Sequence, residues 1–377
     1  MLAQLEDMST ENSTANSTWS NTTKATPDYT TKTAAFFDPV WQIAIMIEFY
    51  FRYVVLALGI FGTAANALVL YAMITHNAQQ AKKRVINLLI IHQNLIDLSC
   101  CVLLVITYAI GNTIYLTGAL GYFLCTIFVS EGATYCALYA SVINLMTLTI
   151  ERYLKIVHPF WSRKNLKRWM IHAAMVFAWI TGIMFIMPPI FTTSLVMDGI
   201  CLPIFVWESP THRMTYGAST VVVFFILPLI VFIYCYGRIV VVMRRQMRVM
   251  AGHNIEGSSQ MNASQIQSKR LKWNIIKTMI IVSVVFVICW CPNNIYFMVM
   301  DPNKMTSSII VGYFPTVFMV YLNICMNPFI YAMKHEGVKQ KLASLMCKCQ
   351  KAVADDLGGC SNNASGMQQI QAGGTRP

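Results

Sequence analysis

Seven long apolar blocks separated by polar segments run along the chain. They lie near residues 47–75, 85–110, 122–157, 169–190, 214–243, 273–300 and 307–333. Each block reaches roughly the 20 residues that an α-helix needs to cross a bilayer. A helix also satisfies its own backbone hydrogen bonds inside lipid. The pattern predicts an all-α membrane protein whose seven transmembrane helices, the first to seventh spans, form one bundle.

Composition and charge agree with this class and give an orientation. Hydrophobic residues make up 56% of the chain, charged residues 12%, and the mean hydropathy is +0.53, all far from a soluble protein. The net charge of +12 does not indicate nucleic-acid binding, because the basic residues are concentrated in alternate gaps and the tail. By the positive-inside rule these segments are cytoplasmic. We therefore expect an extracellular N-terminus and a cytoplasmic C-terminus in the plasma membrane. The basic residues left on the other side are Lys24, Lys32, Arg52, Arg213 and Lys304.

The segments that flank the bundle (residues 47–333) are predicted to be tails. Residues 1–46 are rich in Ser, Thr and Asn and are expected to be a disordered extracellular tail, with glycosylation sites at Asn12, Asn16 and Asn21. Without a signal-peptide core, export would depend on the first span. Residues 334–350 predict an amphipathic helix on the inner membrane surface, and residues 351–377 a disordered cytoplasmic tail. Cys347 and Cys349 are either palmitoylation sites or reduced thiols.

Cysteine positions restrict the choice of disulfide. Most of the 12 cysteines fall inside spans or after the last one. Only Cys125 and Cys201 reach the oxidising side, which leaves one pairing. Cys289 and Cys291 lie within a span without His or acidic partners, so no metal site is expected there.

Several spans carry polar residues where lipid-facing positions would be apolar. Asp97 is the most demanding, because a carboxylate in a span must face the interior and find partners. Together with hydroxyl and amide oxygens it resembles a site for a small hard cation, with sodium the expected ion. The alternative is a hydrated hydrogen-bond cluster that holds helices together; both can apply. The residues concerned are Asn66, Asp97, Ser141, Asn323 and Asn327.

Prolines interrupt four spans and would permit bends. Each removes one backbone hydrogen bond, which neighbouring groups can compensate in a bundle. They are Pro188, Pro189, Pro228, Pro292 and Pro328. We interpret these positions as hinges of a bundle that shifts its helices.

The triplet Glu151-Arg152-Tyr153 ends the third span at the cytoplasmic face. Taken alone, it is explained as an interfacial anchor, with Arg152 reaching the lipid phosphates. Charges at this depth are costly, however, and often functional. Whether the triplet is an interfacial anchor or a conformational switch depends on which residues the other spans place near it.

In combination, these motifs resemble the rhodopsin-like (class A) G-protein-coupled receptors over the whole membrane portion. We assign Asp97 to the family's Leu-x-x-x-Asp pattern. The remaining matches are Gly62 with Asn66, Glu151-Arg152-Tyr153, Trp179, Pro228 with Tyr236, Cys289-Trp290-Cys291-Pro292, and Asn327-Pro328-Phe329-Ile330-Tyr331. Seven short motifs in the right spans and order are specific where each alone is not.

The resemblance implies roles for individual residues. Glu151 would restrain Arg152 at rest, and Arg152 would turn toward a heterotrimeric G protein on activation, supported by Tyr236 and Tyr331. Trp290 and Phe286 would form a lever beneath the ligand, with Pro292 as hinge. Asp97, Ser141, Asn323 and Asn327 match the family's sodium pocket, and Cys125–Cys201 its outer disulfide. Arrestin, receptor kinases and membrane lipids are further expected partners.

Four departures from the family pattern are informative. Thr134 stands where amine receptors carry Asp, which disfavours amine ligands, and Tyr321 replaces the lysine that an opsin needs. Cys125 is two residues further from Arg152 than usual, so the third helix either bulges or starts later. The basic stretch Lys269–Lys272 cannot hold Arg152, so we expect appreciable basal signalling.

The ligand pocket is expected between the outer halves of the third, fifth, sixth and seventh spans. Its candidate residues are Glu131, Thr134, Tyr135, Tyr108, Asn293, Asn294, Tyr296, Tyr313 and Tyr321. Aromatic and amide groups favour a peptide or other neutral polar ligand, and Glu131 with Asp198 and Glu208 would attract a basic peptide end. The sequence therefore predicts a neuropeptide receptor. The alternatives are a receptor for a neutral or lipid-like ligand, or a transporter; nothing suggests an enzyme.

Overall fold

The computed structural model describes residues 39–79, 88–110, 114–202, 209–253, 259–299, 307–334 and 343–344. Within this part of the chain, seven helices are long and apolar enough to cross a membrane: Met46–Thr75, Leu88–Ile110, Gly118–Val157, Arg168–Thr193, Thr211–Arg248, Ile276–Val299 and Val311–Ile330. The predicted seven-helix membrane fold is confirmed. The glycosylation sites, Cys347, Cys349 and nearly all of the predicted amphipathic helix lie outside the described residues.

Several helices extend beyond the predicted spans. The first helix begins at Pro39 and ends at Gln79, beyond its spanning segment Met46–Thr75 at both ends; proline is well tolerated in a first helical turn. The fifth continues to His253 and the sixth begins at Ser259, so both reach into the polar stretch between the apolar blocks 214–243 and 273–300. Gln, Met, Lys and Arg in that stretch are good helix formers. The seventh runs from Ser307 to Lys334.

The third span is central to the bundle and packs against the second, fourth and fifth, while the seventh lies between the first and the sixth. The most deeply buried large side chains come from the second to the seventh spans, and include Leu104, Leu138, Ile190, Ile239, Phe286 and Tyr321. Apolar side chains also cover the outer surface, because lipid is as apolar as the core. The polar residues of the spans therefore distinguish the interior of the bundle from its lipid-facing surface.

The third helix is interrupted near its outer end. Helix Gly118–Leu124 passes into a π-helical turn, Cys125–Val129, and the chain resumes as helix Gly132–Val157. Between them Glu131 adopts a left-handed backbone with φ 59°, an unusual conformation for a residue other than glycine. The extra turn accommodates the two additional residues between Cys125 and Arg152. Of the two alternatives, the bulge is the one observed.

A short hairpin lies over the outer end of the bundle. Strands Leu195–Met197 and Ile200–Leu202 pair antiparallel. Asp198 and Gly199 join them with φ values of 49° and 78°, as the tight type I′ hairpin turn requires. Cys201 in the second strand is bonded to Cys125. The predicted disulfide is therefore confirmed, and it attaches the hairpin to the third helix beside its bulge.

Candidate functional site

Glu131 is the polar centre of the outer half of the bundle. The Tyr108 hydroxyl donates to Glu131 Oε1 at 2.8 Å, and the Tyr321 hydroxyl donates to Oε2. These contacts join the second, third and seventh spans around one partly buried carboxylate. Its position follows from the bulge, since the left-handed Glu131 lies between the π-helical turn and the first residue of helix Gly132–Val157. Because each carboxylate oxygen accepts one phenol, an ionised Glu131 satisfies this geometry.

No basic side chain is paired with Glu131 among the residues that the structure describes. Arg52 approaches from the first span, but its guanidinium donates to the backbone carbonyls of Tyr108 at 3.0 Å and Ala109 at 3.4 Å. These carbonyls end the second helix, a common place for a basic side chain. Arg52 thus stabilises a helix end and leaves the carboxylate to other partners.

Thr134 makes no polar side-chain contact in the pocket among the residues that the structure describes. Its side chain is buried and Oγ1 has no hydrogen-bond partner among the described residues. Amine ligands were disfavoured because Thr134 stands where amine receptors carry Asp. The bulge brings a different carboxylate into the pocket, since it places Glu131 beside Tyr321.

The remaining pocket candidates form an aromatic wall next to this carboxylate. Tyr135 and Tyr313 contact each other through their hydroxyls, and the Tyr313 and Tyr296 rings are 5.9 Å apart. Asn294 is turned away from this wall, since its amide donates to the Trp290 carbonyl of its own helix at 2.8 Å. Asn293 is half-buried on the same helix. The third, sixth and seventh spans thus contribute the tyrosines together.

Trp290 and Phe286 lie beneath this wall, as the lever role requires. Their ring centroids are 5.5 Å apart. Phe286 also packs edge-on against Phe232 of the fifth span at 5.7 Å. The sixth helix runs unbroken through Pro292, roughly one and a half to two turns further along the helix than Phe286. The aromatic stack couples the fifth and sixth spans below the pocket.

Asp97 collects three hydrogen bonds in the middle of the bundle. Ser141 donates to Oδ1 at 3.0 Å, Gln93 donates to the same oxygen at 3.1 Å, and Asn327 donates to Oδ2 at 2.8 Å. Asn323 is buried but makes no hydrogen bond to Asp97. Two of the three predicted partners, Ser141 and Asn327, are therefore in place.

Asn66 ties the first span to this region. Its amide donates to the Gly62 carbonyl at 2.9 Å and to the Ile324 carbonyl of the seventh span at 3.4 Å. Gly62 permits the close approach, because a Cβ there would lie 2.6 Å from the Sγ atoms of Cys101 and Cys325. The polar residues predicted from the sequence thus connect the first, second, third and seventh spans.

A second set of hydrogen-bonded polar side chains, not predicted from the sequence, lies next to Asp97. Asn144 donates to Gln93 Oε1 at 2.8 Å, and its own carbonyl oxygen lies 2.8 Å from His92 Nδ1. Trp179 donates to His92 Nε2 at 3.2 Å, so His92 carries its proton on Nδ1 and donates to Asn144. The spacing contained the signal: Gln93 precedes Asp97 by one helical turn, and Asn144 follows Ser141 by three residues on the same face.

One element of the family assignment is wrong. The Leu-x-x-x-Asp pattern requires leucine four residues before Asp97, and this chain has Gln93 there. The departure matters because the glutamine contacts Asp97 directly. A leucine could make no such bond.

The polar residues around Asp97 supply only part of what a sodium ion needs. Oxygen donors are present, since Asn66 Oδ1 and Asn327 Oδ1 are buried without hydrogen-bond partners. The carboxylate that would neutralise the ion is less accessible, however, because Oδ1 accepts from both Gln93 and Ser141 and Oδ2 accepts from Asn327, which leaves one lone pair on Oδ2. A carboxylate oxygen has about two lone pairs. The set therefore does not fit a sodium ion while Gln93 keeps this position.

At the end of the bundle that the sequence predicts to be cytoplasmic, Glu151 is shared between two basic residues. Arg152 Nε lies 3.4 Å from Glu151 Oε2, and Lys155 Nζ forms an ion pair with Oε1. Glu151 and Arg152 are both buried. The predicted Glu151–Arg152 contact is present, and Lys155 is a competitor that the sequence analysis did not name. The side chains of Lys269–Lys272 lie outside the described residues.

The other switch residues differ in their surroundings. Tyr236 is buried, with its hydroxyl 2.9 Å from Thr149 Oγ1, whereas Tyr153 is more open and approaches His158 Nε2 at 3.3 Å. Pro328 follows Asn327 within the unbroken seventh helix. The side chain of Tyr331 is not in the described part of the structure.

Comparisons with known proteins agree with this architecture. The profile of the family described as "7 transmembrane receptor (rhodopsin family)" matches residues 65–331. The chain is 26% identical over 290 residues to the substance-K receptor of Canis lupus familiaris, covering 74% of this chain and 68% of the relative. It is 26% identical over 316 residues to galanin receptor 2a of Danio rerio, covering 79% and 77%.

The aligned part amounts to about two thirds of the length of the substance-K receptors that the chain matches, 68% for the canine and 63% for the human protein. Among solved structures, squid rhodopsin aligns with a TM-score of 0.63 at 16% identity, over 92% of this chain and 99% of the rhodopsin. At that identity the likeness concerns the fold alone.

Proposed function

The chain belongs to the rhodopsin family of seven-transmembrane receptors, and from this premise we propose that it is a cell-surface receptor that signals the binding of an extracellular peptide to heterotrimeric G proteins. Its similarity to receptors named for substance K and galanin supports a peptide ligand. The concentration of basic residues in alternate gaps supports an extracellular N-terminus and a cytoplasmic coupling face in the plasma membrane.

The Glu131 cluster is the observation that carries the proposal. A carboxylate held by Tyr108 and Tyr321, without a basic partner among the described residues, is suited to a cationic group. Partly buried charges gain most from a partner of opposite sign that completes their hydrogen bonds. The ligand would supply an N-terminal amine or a Lys or Arg side chain, while its apolar parts contact Tyr135, Tyr296 and Tyr313.

The signal would pass from this cluster toward the cytoplasm through adjacent side chains. A ligand that displaces Tyr321 acts on the seventh span, which bonds to Asp97 through Asn327. Contact with Tyr296 acts on the sixth span, where Trp290 and Phe286 connect to the fifth. Both routes would lead on through the bundle toward Arg152. Phosphorylation by receptor kinases, arrestin binding, and lipid attachment at Cys347 and Cys349 are part of the same proposal.

The test is a ligand screen in transfected cells. Peptides with free or amidated ends, and with or without basic residues, are compared with an amine panel, using G-protein activation as the readout. We expect a cationic peptide to activate. For that agonist, Glu131→Gln should raise the half-maximal concentration by roughly tenfold to a hundredfold, since a charge-assisted hydrogen bond contributes about 1.5–3 kcal/mol.

Asp198→Asn separates direct contact at Glu131 from attraction by the outer acids, because Asp198 is an exposed acid on the outer hairpin. It should change the potency by no more than about fivefold, the range of an exposed ion pair. An agonist whose potency is unaffected by Glu131→Gln would contradict the cationic contact. Activation by neutral or lipid-like compounds alone would contradict the peptide assignment.

A further inference from the structure

Gln93 is placed where it bonds to the buried carboxylate of the second span. Its amide nitrogen donates to Asp97 Oδ1 at 3.1 Å and also to Ser141 Oγ. Gln93 and Asp97 are 1% and 0% exposed. The family's Leu-x-x-x-Asp pattern has leucine at this position, and a leucine could not form these hydrogen bonds.

The orientation of the Gln93 amide is fixed by a relay of four residues. Gln93 Oε1 accepts from Asn144 at 2.8 Å, so its NH₂ group must face Asp97. Asn144 is held in turn by the Nδ1–H of His92, and His92 by the indole of Trp179. A buried amide that is satisfied at both ends resists rotation. The relay thus positions two N–H donors toward Asp97 and Ser141.

We propose that Gln93 takes the place of a cation at Asp97, so that the pocket of this receptor is insensitive to sodium. Asp97 and Ser141, two of the predicted oxygen ligands, both accept hydrogen bonds from the amide nitrogen of Gln93. This nitrogen is an N–H donor and cannot itself coordinate a metal ion. Sodium would have to displace Gln93 and leave its polar group buried without a partner, which is costly. The inference concerns this pocket and does not depend on which ligand activates the receptor.

Thermal stability of the purified full-length receptor provides the test. The melting temperature is measured in NaCl, KCl and choline chloride at equal ionic strength. Wild type should show the same melting temperature in all three salts. Gln93→Leu, which removes the amide and keeps an apolar side chain, should gain a rise specific to NaCl. At ten times the dissociation constant, bound sodium would raise the melting temperature by about 2 °C.

Control variants separate the amide from its surroundings. Gln93→Met keeps the length of the side chain and should behave like Gln93→Leu. Gln93→Leu combined with Asp97→Asn should lose the gained response, because the carboxylate is removed. Asn144→Leu, which releases the far end of the Gln93 amide, should give a smaller sodium-specific rise. Broadening of the ²³Na resonance by the purified variants gives a second readout that does not depend on unfolding.

Two results would overturn the proposal. The first is a sodium-specific rise in wild type. The second is a folded Gln93→Leu or Gln93→Met variant that shows neither a melting shift nor ²³Na broadening in NaCl. If both variants fail to fold, the wild-type comparison of the three salts decides alone. None of these measurements uses an agonist, so their outcome is independent of the proposed peptide ligand.

Discussion

The hydroxyl of Tyr236 lies 2.9 Å from Thr149 Oγ1, one helical turn before Arg152. Thr149 uses its own proton on the Leu145 carbonyl at 2.9 Å, so Tyr236 must be the donor. Ser283 of the sixth span donates to the Tyr236 hydroxyl at 3.4 Å. A single phenol thereby links the third, fifth and sixth spans beside the proposed switch.

Tyr236→Phe removes this link without changing the size of the ring. We expect a loss of about 1 kcal/mol, the net contribution of one hydrogen bond, and reduced agonist-stimulated nucleotide exchange. Thermal melting and exchange on purified G protein measure the two effects. Tyr234→Phe is the comparison variant on the same helix, because Tyr234 is 58% exposed and its hydroxyl lies 3.5 Å from that of Tyr153, the limit of a hydrogen bond. Equal behaviour of the two variants would show that the Tyr236 hydroxyl has no role.

The ion pairs of Glu151 lead to a prediction about basal activity. Lys155 and Arg152 contact different oxygens of the same carboxylate, so each weakens the hold of Glu151 on the other. Glu151→Gln should raise agonist-free nucleotide exchange, and Lys155→Met should lower it. The Lys155 effect should stay within about fivefold, because Lys155 is partly exposed and such pairs contribute up to ~1 kcal/mol. A change in the same direction for both variants would refute competition for Glu151.

The features that the sequence predicts correctly are those with a local signal. Apolar blocks of spanning length gave all seven spans, and the small number of outward cysteines gave the Cys125–Cys201 pairing. Glu131 was among the predicted pocket residues, but its hydrogen bonds to Tyr108 and Tyr321 could not be predicted from a local signal. Spacing allowed either a bulge or a late helix start, and only packing of the third helix decides which residue meets Tyr321.

The Gln93 relay shows a second reason why part of the site was not predicted. Its members come from the second, third and fourth spans, so the contacts between them depend on how the helices are rotated. Periodicity indicates that a residue shares a face with Asp97, but it does not identify the partner across the interface. His92 and Asn144 were visible as polar residues in spans; their connection required the fold.

The outer hairpin offers a test of turn geometry. Gly199 has φ 78°, and a Cβ there would meet the Tyr115 ring at 2.2 Å. Gly199→Ala should destabilise by about 1–2 kcal/mol from backbone conformation alone, with an added steric part. Gly118→Ala is the matched control, because Gly118 has φ 62° and nothing within 4 Å of such a Cβ. Gly199→Ala should melt lower than Gly118→Ala, and Tyr115→Ala should remove the difference. Identical melting of the two glycine variants would contradict the contact with Tyr115.

The contact between the first, second and seventh spans at Gly62 should be equally sensitive. A Cβ there would lie 2.6 Å from the Sγ atoms of Cys101 and Cys325, and both cysteines are buried. Overpacking of this kind costs about 1–3 kcal/mol, so Gly62→Ala should lower the melting temperature of the purified receptor. Gly237→Ala, at a helical position with nothing within 4 Å, should be neutral or stabilising by up to ~1 kcal/mol.

Removal of the two sulfurs identifies the cause of that loss. In the background Cys101→Ala with Cys325→Ala, the space that the new methyl group needs is already free. Gly62→Ala should then cost much less than it does in wild type. If the cost is the same in both backgrounds, the close approach of the three spans at Gly62 is not what the glycine provides, and the hydrogen bond from Asn66 to the Gly62 carbonyl becomes the next feature to test.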